Sequence, residues 1–266
     1  MLWDTHIHTC YSGDSIAAPE EVVKKAIGLE LPGICITDHL DLDFPETPGF
    51  VPLDEAAYDA GIRRLQEQYR DTYPVCFGIE MGLQPHLAQT HRAFLDAHDF
   101  DFVIGSSHAV HGFDPYEPAF YEGRDESDAY WEYFKSITEN ISAFDDFDVY
   151  GHIDYVVRYG PTQNQNYSYA RYREILDEIL KLLIEHGKGI ELNTAGFRYG
   201  LGHPNPTEDI LARYRELGGE IVTVGSDAHR PEDIAYAFDR VPMILKDCGF
   251  TYYTIFRNRK PEFIKL

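Results

Sequence analysis

The chain is poor in basic residues, in cysteine and in long apolar runs. It carries 23 Lys and Arg against 45 Asp and Glu, a formal net charge of −22 over 266 residues. Such a surface disfavours a nucleic acid backbone as partner, since that contact draws on clustered basic side chains. It does not exclude a small phosphate ester, because metal ions and a few arginines can reverse the field locally. The four cysteines, Cys10, Cys35, Cys76 and Cys248, make no C-x-x-C pair, and with candidate ligands that are His, Asp and Glu a thiolate zinc site is not expected. Cys35 and Cys76 fall inside apolar runs and read as small buried hydrophobes. No apolar run nears the ~20 residues of a membrane-spanning helix, and no leader-like segment precedes Trp3, so a cytoplasmic protein is expected. There is no Gly-rich loop ending in Lys to cradle a phosphate, and no cysteine nucleophile motif. No Pro/Ser-rich linker or repeat of fixed period divides the chain, and residues 1–266 read as a single domain.

What is present is a recurrent event: a short apolar run that ends in histidine or a carboxylate. Residues 4–8 carry His6 and His8, with Asp14 close behind. Residues 33–37 lead into Asp38 and His39, 75–79 into Glu80, 102–107 into His108, 149–151 into His152, and 221–226 into Asp227 and His229. Apolar runs of about 4–8 residues are the pattern of buried parallel strands. Between them, residues 19–29, 54–69, 85–98, 126–144, 168–186 and 207–217 carry apolar positions at helical spacing. Asp54 and Thr207 stand where N-caps belong, and Gly187 and Gly218 where helices stop. Strand and helix thus alternate about seven times, which predicts a distorted (β/α)7 TIM-like barrel with the ligand-type residues at the C-terminal face of its strands. The irregular stretches 41–53, 111–125 and 158–167 read as surface loops over that face.

Side chains two apart on a strand point the same way, so His6 and His8 present two imidazoles to one point. Nine residues share the strand-end pattern: His6, His8, Asp14, His39, Glu80, His108, His152, Asp227 and His229. Burying so many ionisable groups together is costly unless cations compensate. The set exceeds the three or four ligands of one catalytic zinc and suits two or three ions. Glu80 or Asp227 can bridge, each offering two oxygens. Imidazole and carboxylate without thiolate suit zinc, manganese or iron. Six histidines lie outside the pattern. His86, His91 and His98 share one predicted helix at spacings unlike a metal pair and read as surface, and His186 sits at a helix end. His111 and His203 lie in loops near strand ends, as candidates for touching a substrate.

Taken in order, these motifs resemble those of the PHP (polymerase and histidinol phosphatase) superfamily. The resemblance rests on Asp4-Thr5-His6-Ile7-His8-Thr9 followed by Tyr11-Ser12-Gly13-Asp14-Ser15, then Thr37-Asp38-His39, Gly78-Ile79-Glu80, Ser107-His108, Gly151-His152 and Gly225-Ser226-Asp227-Ala228-His229. Within the superfamily, residues 189–198 and His203-Pro204-Asn205-Pro206 look most like the histidinol-phosphate phosphatases. The resemblance implies a distorted (β/α)7 barrel and a trinuclear metal centre. His6, His8, Glu80 and Asp227 would hold one ion, Glu80, His108 and His152 a second, and Asp14, His39 and His229 the third. It implies hydrolysis of L-histidinol phosphate, a small phosphorylated substrate, in histidine biosynthesis. Alternatives are a PHP phosphoesterase acting on nucleotides or other small phosphate esters, and a non-catalytic metal-binding PHP module.

Clustered cations lower the pKa of bound water, so a metal-bridging hydroxide is the expected nucleophile. A planar guanidinium can hold two phosphoryl oxygens. Arg198, after the sixth predicted strand, and Arg158, six residues beyond His152, are therefore candidates for binding substrate. Asp38, His229 or water is expected to protonate the leaving alkoxide. Asp43, Glu46, Asp114 and Glu117 are the acidic loop residues available to a substrate amine.

Overall fold

Alternating apolar runs and amphipathic segments become, in the computed structural model, which describes residues 1–45 and 51–266, a parallel sheet wrapped by helices. The strands are β1 (Asp4–Ile7), β2 (Ile34–Ile36), β3 (His39–Leu40), β4 (Val75–Gly82), β5 (Phe102–Ser106), β6 (Val149–Tyr150), β7 (Gly189–Asn193) and β8 (Val222–Gly225). They pair in the order β1-β2-β4-β5-β6-β7-β8, with β3 also on β4, and every pairing is parallel. The sheet curls until its edges nearly meet. A bridge joins Ile7 to Ala228, the Asp227 N–H donates to the His6 carbonyl at 2.9 Å, and the His8 N–H to the Ala228 carbonyl at 2.9 Å. Asp4 latches the seam from inside, accepting from Ser226 N at 2.9 Å, Ser226 Oγ at 2.6 Å and Ala235 N at 2.9 Å. This is the expected distorted (β/α)7 barrel.

The six expected helices form, trimmed at their ends, as α1 (Pro19–Gly28), α2 (Glu55–Tyr69), α3 (Ala88–Asp96), α4 (Glu126–Ala143), α5 (Arg173–Glu185) and α7 (Glu208–Glu216), and two short ones that the spacing did not predict join them, α6 (Ala195–Arg198) and α8 (Val241–Asp247). Asp54 caps α2 by accepting from Ala57 N at 3.1 Å. Gly187 and Gly218 end α5 and α7 at φ +69° and +100°, the left-handed turn that glycine makes without a Cβ penalty. Thr207 does not cap α7 through its side chain. Its Oγ1 is buried without a partner among the described residues, and its N–H is taken by Asp154 Oδ2 at 3.1 Å.

His91, on α3, corrects the surface reading given to His86, His91 and His98. It is 0% exposed, packs edge-on to Phe144 and has no partner at either ring nitrogen among the described residues. The helix turns that position inward, whereas His86 stays exposed on Asp43. A C-terminal hairpin, β9 (Tyr252–Arg257) and β10 (Lys260–Lys265), has no counterpart in the strand–helix pattern. Its two-residue turn, Asn258 and Arg259, takes positive φ at both positions, as a type I′ turn requires. The hairpin lies at the opposite end of the barrel from the ligand-bearing face. Arg259 binds Asp148 there at 2.7 Å, and Arg257 stacks over Trp3 at 5.2 Å. Cys35 and Cys76 are buried, as expected.

Candidate metal centre

The strand ends deliver all nine ligand-type residues to one rim. The β3–β4 register sets His39 beside Glu80, and the β1–β8 seam sets His6 and His8 beside Asp227. Glu80 is 0% exposed and occupies the middle. Its Oε2 lies 3.1 Å from His6 Nε2, 3.4 Å from His8 Nε2 and 3.0 Å from His39 Nδ1. Its Oε1 lies 2.9 Å from His152 Nε2 and 3.3 Å from His108 Nε2, and accepts from Ser106 Oγ at 2.7 Å. Asp227 Oδ1 lies 3.4 Å from His8 Nε2 and 3.8 Å from His6 Nε2. Asp14 Oδ2 lies 2.9 Å from His229 Nε2 and 3.6 Å from His39 Nε2, while the rings of His39 and His229 each stack on His8 at 4.1 Å.

Whether this donor set fits metal ions can be read from the outer nitrogens. His6 Nδ1 pairs with Glu191 Oε1 at 2.7 Å, His8 Nδ1 with Ser12 Oγ at 3.1 Å, and His108 Nδ1 with Asp41 Oδ1 at 2.9 Å. Each outer contact leaves Nε2 facing the centre, the orientation in which a histidine ligates. The inner atoms then face one another with little to hold them. His6 Nε2 and His8 Nε2 stand 3.0 Å apart, and among the described residues buried Glu80 Oε2 has no aligned hydrogen bond despite three nitrogens around it. Among the described residues five overlapping trios bring donor atoms within 4.8 Å of one another, including His6-His8-Glu80, Glu80-His108-His152 and His8-His39-His229. Imidazole nitrogens and carboxylate oxygens converging on one point are what cations satisfy. The residues fit.

The electrostatics agree. Burial opposes charge on His6, but Glu191, Glu80 and Asp227 outweigh it and raise its pKa well above the ordinary value. Burial likewise opposes charge on Glu80, yet His6, His108 and His39 hold it well below the carboxylate range. Asp227 is held low against its burial by Arg158 and His6. His8 is pushed down by burial and by neighbouring imidazoles. The site is a nest of fixed anions that attracts positive charge.

Four residues outside the nine candidate ligands hold them in place. Glu191 fixes His6 and accepts the His152 N–H at 3.0 Å. Gly225 lets that pair form, for a Cβ there would strike both Glu191 Oε1 and His6. Asp41 orients His108, and Ser106 orients Glu80. Glu191 carried a local signal, being two residues before Asn193 on a strand and so on the same face.

Other expectations need correction. Asp38 does not reach the site. Its carboxylate is 0% exposed and accepts from Thr9 N, Thr9 Oγ1, Ser12 N and Ser12 Oγ, tying down the loop after β1. His111 points outward to Glu132 and Glu139. His203 turns back on the Pro204 carbonyl at 2.7 Å. Neither lines the cavity over the centre. Asp43 is occupied by His86, Glu117 is also outside the cavity, and Glu46 lies outside the described residues. Arg198 stands behind the rim, donating to the Asp227 carbonyl at 2.8 Å and the Ser226 carbonyl at 3.4 Å. Arg158 does line the cavity, but it is buried. It donates to Asp227 Oδ2 at 2.8 Å, Asn205 Oδ1 at 2.9 Å and Asn193 Oδ1 at 3.0 Å, so three of a guanidinium's five N–H groups serve the protein itself.

The cavity holds about 520 Å³ and opens over His39, His108, His152, Asp227 and His229, a size suited to a small molecule. Beyond the histidines its wall is aromatic, with Tyr116, Tyr155, Tyr159 and Tyr199.

Fold and site together define a PHP-type barrel. The PHP domain profile matches residues 4–195, and the chain belongs to that family. Within the family it is 32% identical to a histidinol-phosphatase of Lactococcus lactis, over 97% of this chain and 95% of the relative. It is 31% identical to a "probable histidinol-phosphatase" of Clostridium acetobutylicum, over 100% of this chain and 97% of that one. A crystal structure of histidinol phosphate phosphatase from Lactococcus lactis, complexed with zinc, L-histidinol and phosphate, superposes with a TM-score of 0.91 at 31% identity, covering 98% of this chain and 100% of that one.

Proposed function

We propose that this chain hydrolyses L-histidinol phosphate to L-histidinol and inorganic phosphate. Two or three divalent ions would be held by His6, His8, Asp14, His39, Glu80, His108, His152, Asp227 and His229. One observation carries the reading: buried Glu80 offers one oxygen to His6, His8 and His39 and the other to His108 and His152. That is the arrangement of a bridging carboxylate between two sites. The substrate assignment leans on the Lactococcus relative and the zinc, histidinol and phosphate in its homologue's crystal structure.

Ions in these sites would activate water and neutralise phosphoryl oxygens. The chain's own residues do the rest. Glu191, Ser12 and Asp41 aim the imidazoles inward. Arg158 holds Asp227 by its second oxygen, leaving Oδ1 toward His6 and His8. Arg198 braces the turn that carries Asp227 and His229. Of the side chains able to give the leaving alkoxide a proton, His229 lines the cavity and Asp38 does not. Among the described residues no helix is long and apolar enough to cross a membrane. A cytoplasmic location is part of this proposal.

The test is phosphate release from a panel of monoesters, with metal analysis on the same sample. The reading expects L-histidinol phosphate to lead the panel and at least two equivalents of zinc, manganese or iron. Preference for a nucleotide, or full activity in metal-free protein, would refute it.

A further inference from the structure

The metal centre accounts for the floor of the cavity but not for its outer wall. From the imidazoles of His108 and His152 a run of tyrosine rings leads outward. Tyr155 lies 5.7 and 5.0 Å from those two, Tyr159 lies 5.0 Å from Tyr155, and Tyr116 and Tyr199 lie 5.0 and 5.6 Å from Tyr159. Asp114 belongs to the same wall. It is 8% exposed, and its Oδ1 accepts the Tyr116 N–H at 2.8 Å. Among the described residues no lysine, arginine or histidine lies within ion-pair distance of it. Burial pushes its pKa up to about 6. The arginine in this wall, Arg158, is already neutralised by Asp227.

A buried carboxylate that feels His108 only from beyond ion-pair distance costs free energy, and aromatic faces beside it attract the kind of charge that would offset that cost. Both features ask for a cation arriving from the cavity. In L-histidinol phosphate an ammonium group sits on the carbon next to the ester-bearing one, while the flat imidazole suits a tyrosine wall.

We propose that Asp114 is a specificity-determining residue that receives the substrate's ammonium group, restricting the site to amino-alkyl phosphate monoesters. This rests on the phosphomonoesterase reading of the centre. The test is steady-state kinetics of metal-loaded wild type and Asp114→Asn on L-histidinol phosphate, its deamino analogue 3-(imidazol-4-yl)propyl phosphate, and phenyl phosphate. Asparagine keeps an oxygen for the Tyr116 N–H, so the loop retains its turn. Wild type should favour histidinol phosphate over the deamino analogue by about thirtyfold in kcat/KM, a typical yield for a hydrogen bond to a charged group. Asp114→Asn should lose about that factor on histidinol phosphate and stay within about threefold on the other two esters. Equal losses on all three esters, or a wild type indifferent to the amine, would overturn the assignment. Suppose wild type spares histidinol phosphate yet prefers O-phosphoethanolamine to ethyl phosphate, and Asp114→Asn abolishes that preference. Then the substrate reading falls while the role of Asp114 stands. No turnover of any ester overturns both.

Discussion

Arg158→Met removes a cation from a place that water cannot refill. The Arg158 side chain is 2% exposed and its partner Asp227 6%. Methionine fills much of the same volume and takes away all three donors. Losing one partner of a buried ion pair costs about 3–5 kcal/mol, because the other charge is left uncompensated. A chain of this length unfolds with an entropy of roughly 0.5 kcal/mol per kelvin, so the melting temperature should fall by roughly 6–10 °C. That figure applies to metal-free protein. Cations seated against Asp227 would supply the missing compensation, so in zinc-saturated protein the loss should be less than half as large. The assay is scanning calorimetry of wild type and Arg158→Met, each after chelation and after reloading with zinc. Arg158→Lys, which keeps the charge but not the fork, should fall between them. Losses of equal size with and without zinc, or a loss below about 1 kcal/mol as in a solvated surface pair, would refute the reasoning.

Glu80→Gln keeps the shape of the bridge and removes its charge, so bound metal and phosphatase activity should vanish together. Full metal content by elemental analysis would count against the bridging role. Arg198→Ala should lower kcat/KM for histidinol phosphate by at least about tenfold, or ~1.4 kcal/mol, as the turn carrying Asp227 loosens; unchanged kinetics would dismiss Arg198. His91 supplies a pH prediction: burial lowers its pKa from 6.5 to about 4. Between those values the unfolded chain binds a proton that the folded one refuses, so stability falls as pH drops below 6.5, by about 2 kcal/mol at pH 5. His91→Leu should remove that share. Denaturant melts at pH 7 and pH 5 that show the same difference in both proteins would contradict it.

Local geometry explains what could be read in advance. Alternation along a strand puts His6 and His8 on one face whatever surrounds them, and an apolar run ending in Glu80 or His152 marks the exit of a buried strand. Asp54 and the stops at Gly187 and Gly218 are likewise settled by a few neighbouring residues. His91 was misjudged because helical spacing defines a face but not which way it turns. The C-terminal hairpin escaped because its pairing answers to no strand–helix alternation.

The amino-acid order alone thus determined the strand–helix alternation and which strand ends carry the nine ligand-type residues, since each follows from backbone periodicity over a few residues. Only the tertiary structure decided what those donors meet. Glu191 reaches His6 across 185 residues, Arg158 reaches Asp227 across 69, and Asp41 reaches His108 across 67. It also turned Asp38 into a loop anchor and left Asp114 facing the cavity. Such contacts depend on how the sheet closes, and ring closure is a property of the whole chain that no short stretch encodes.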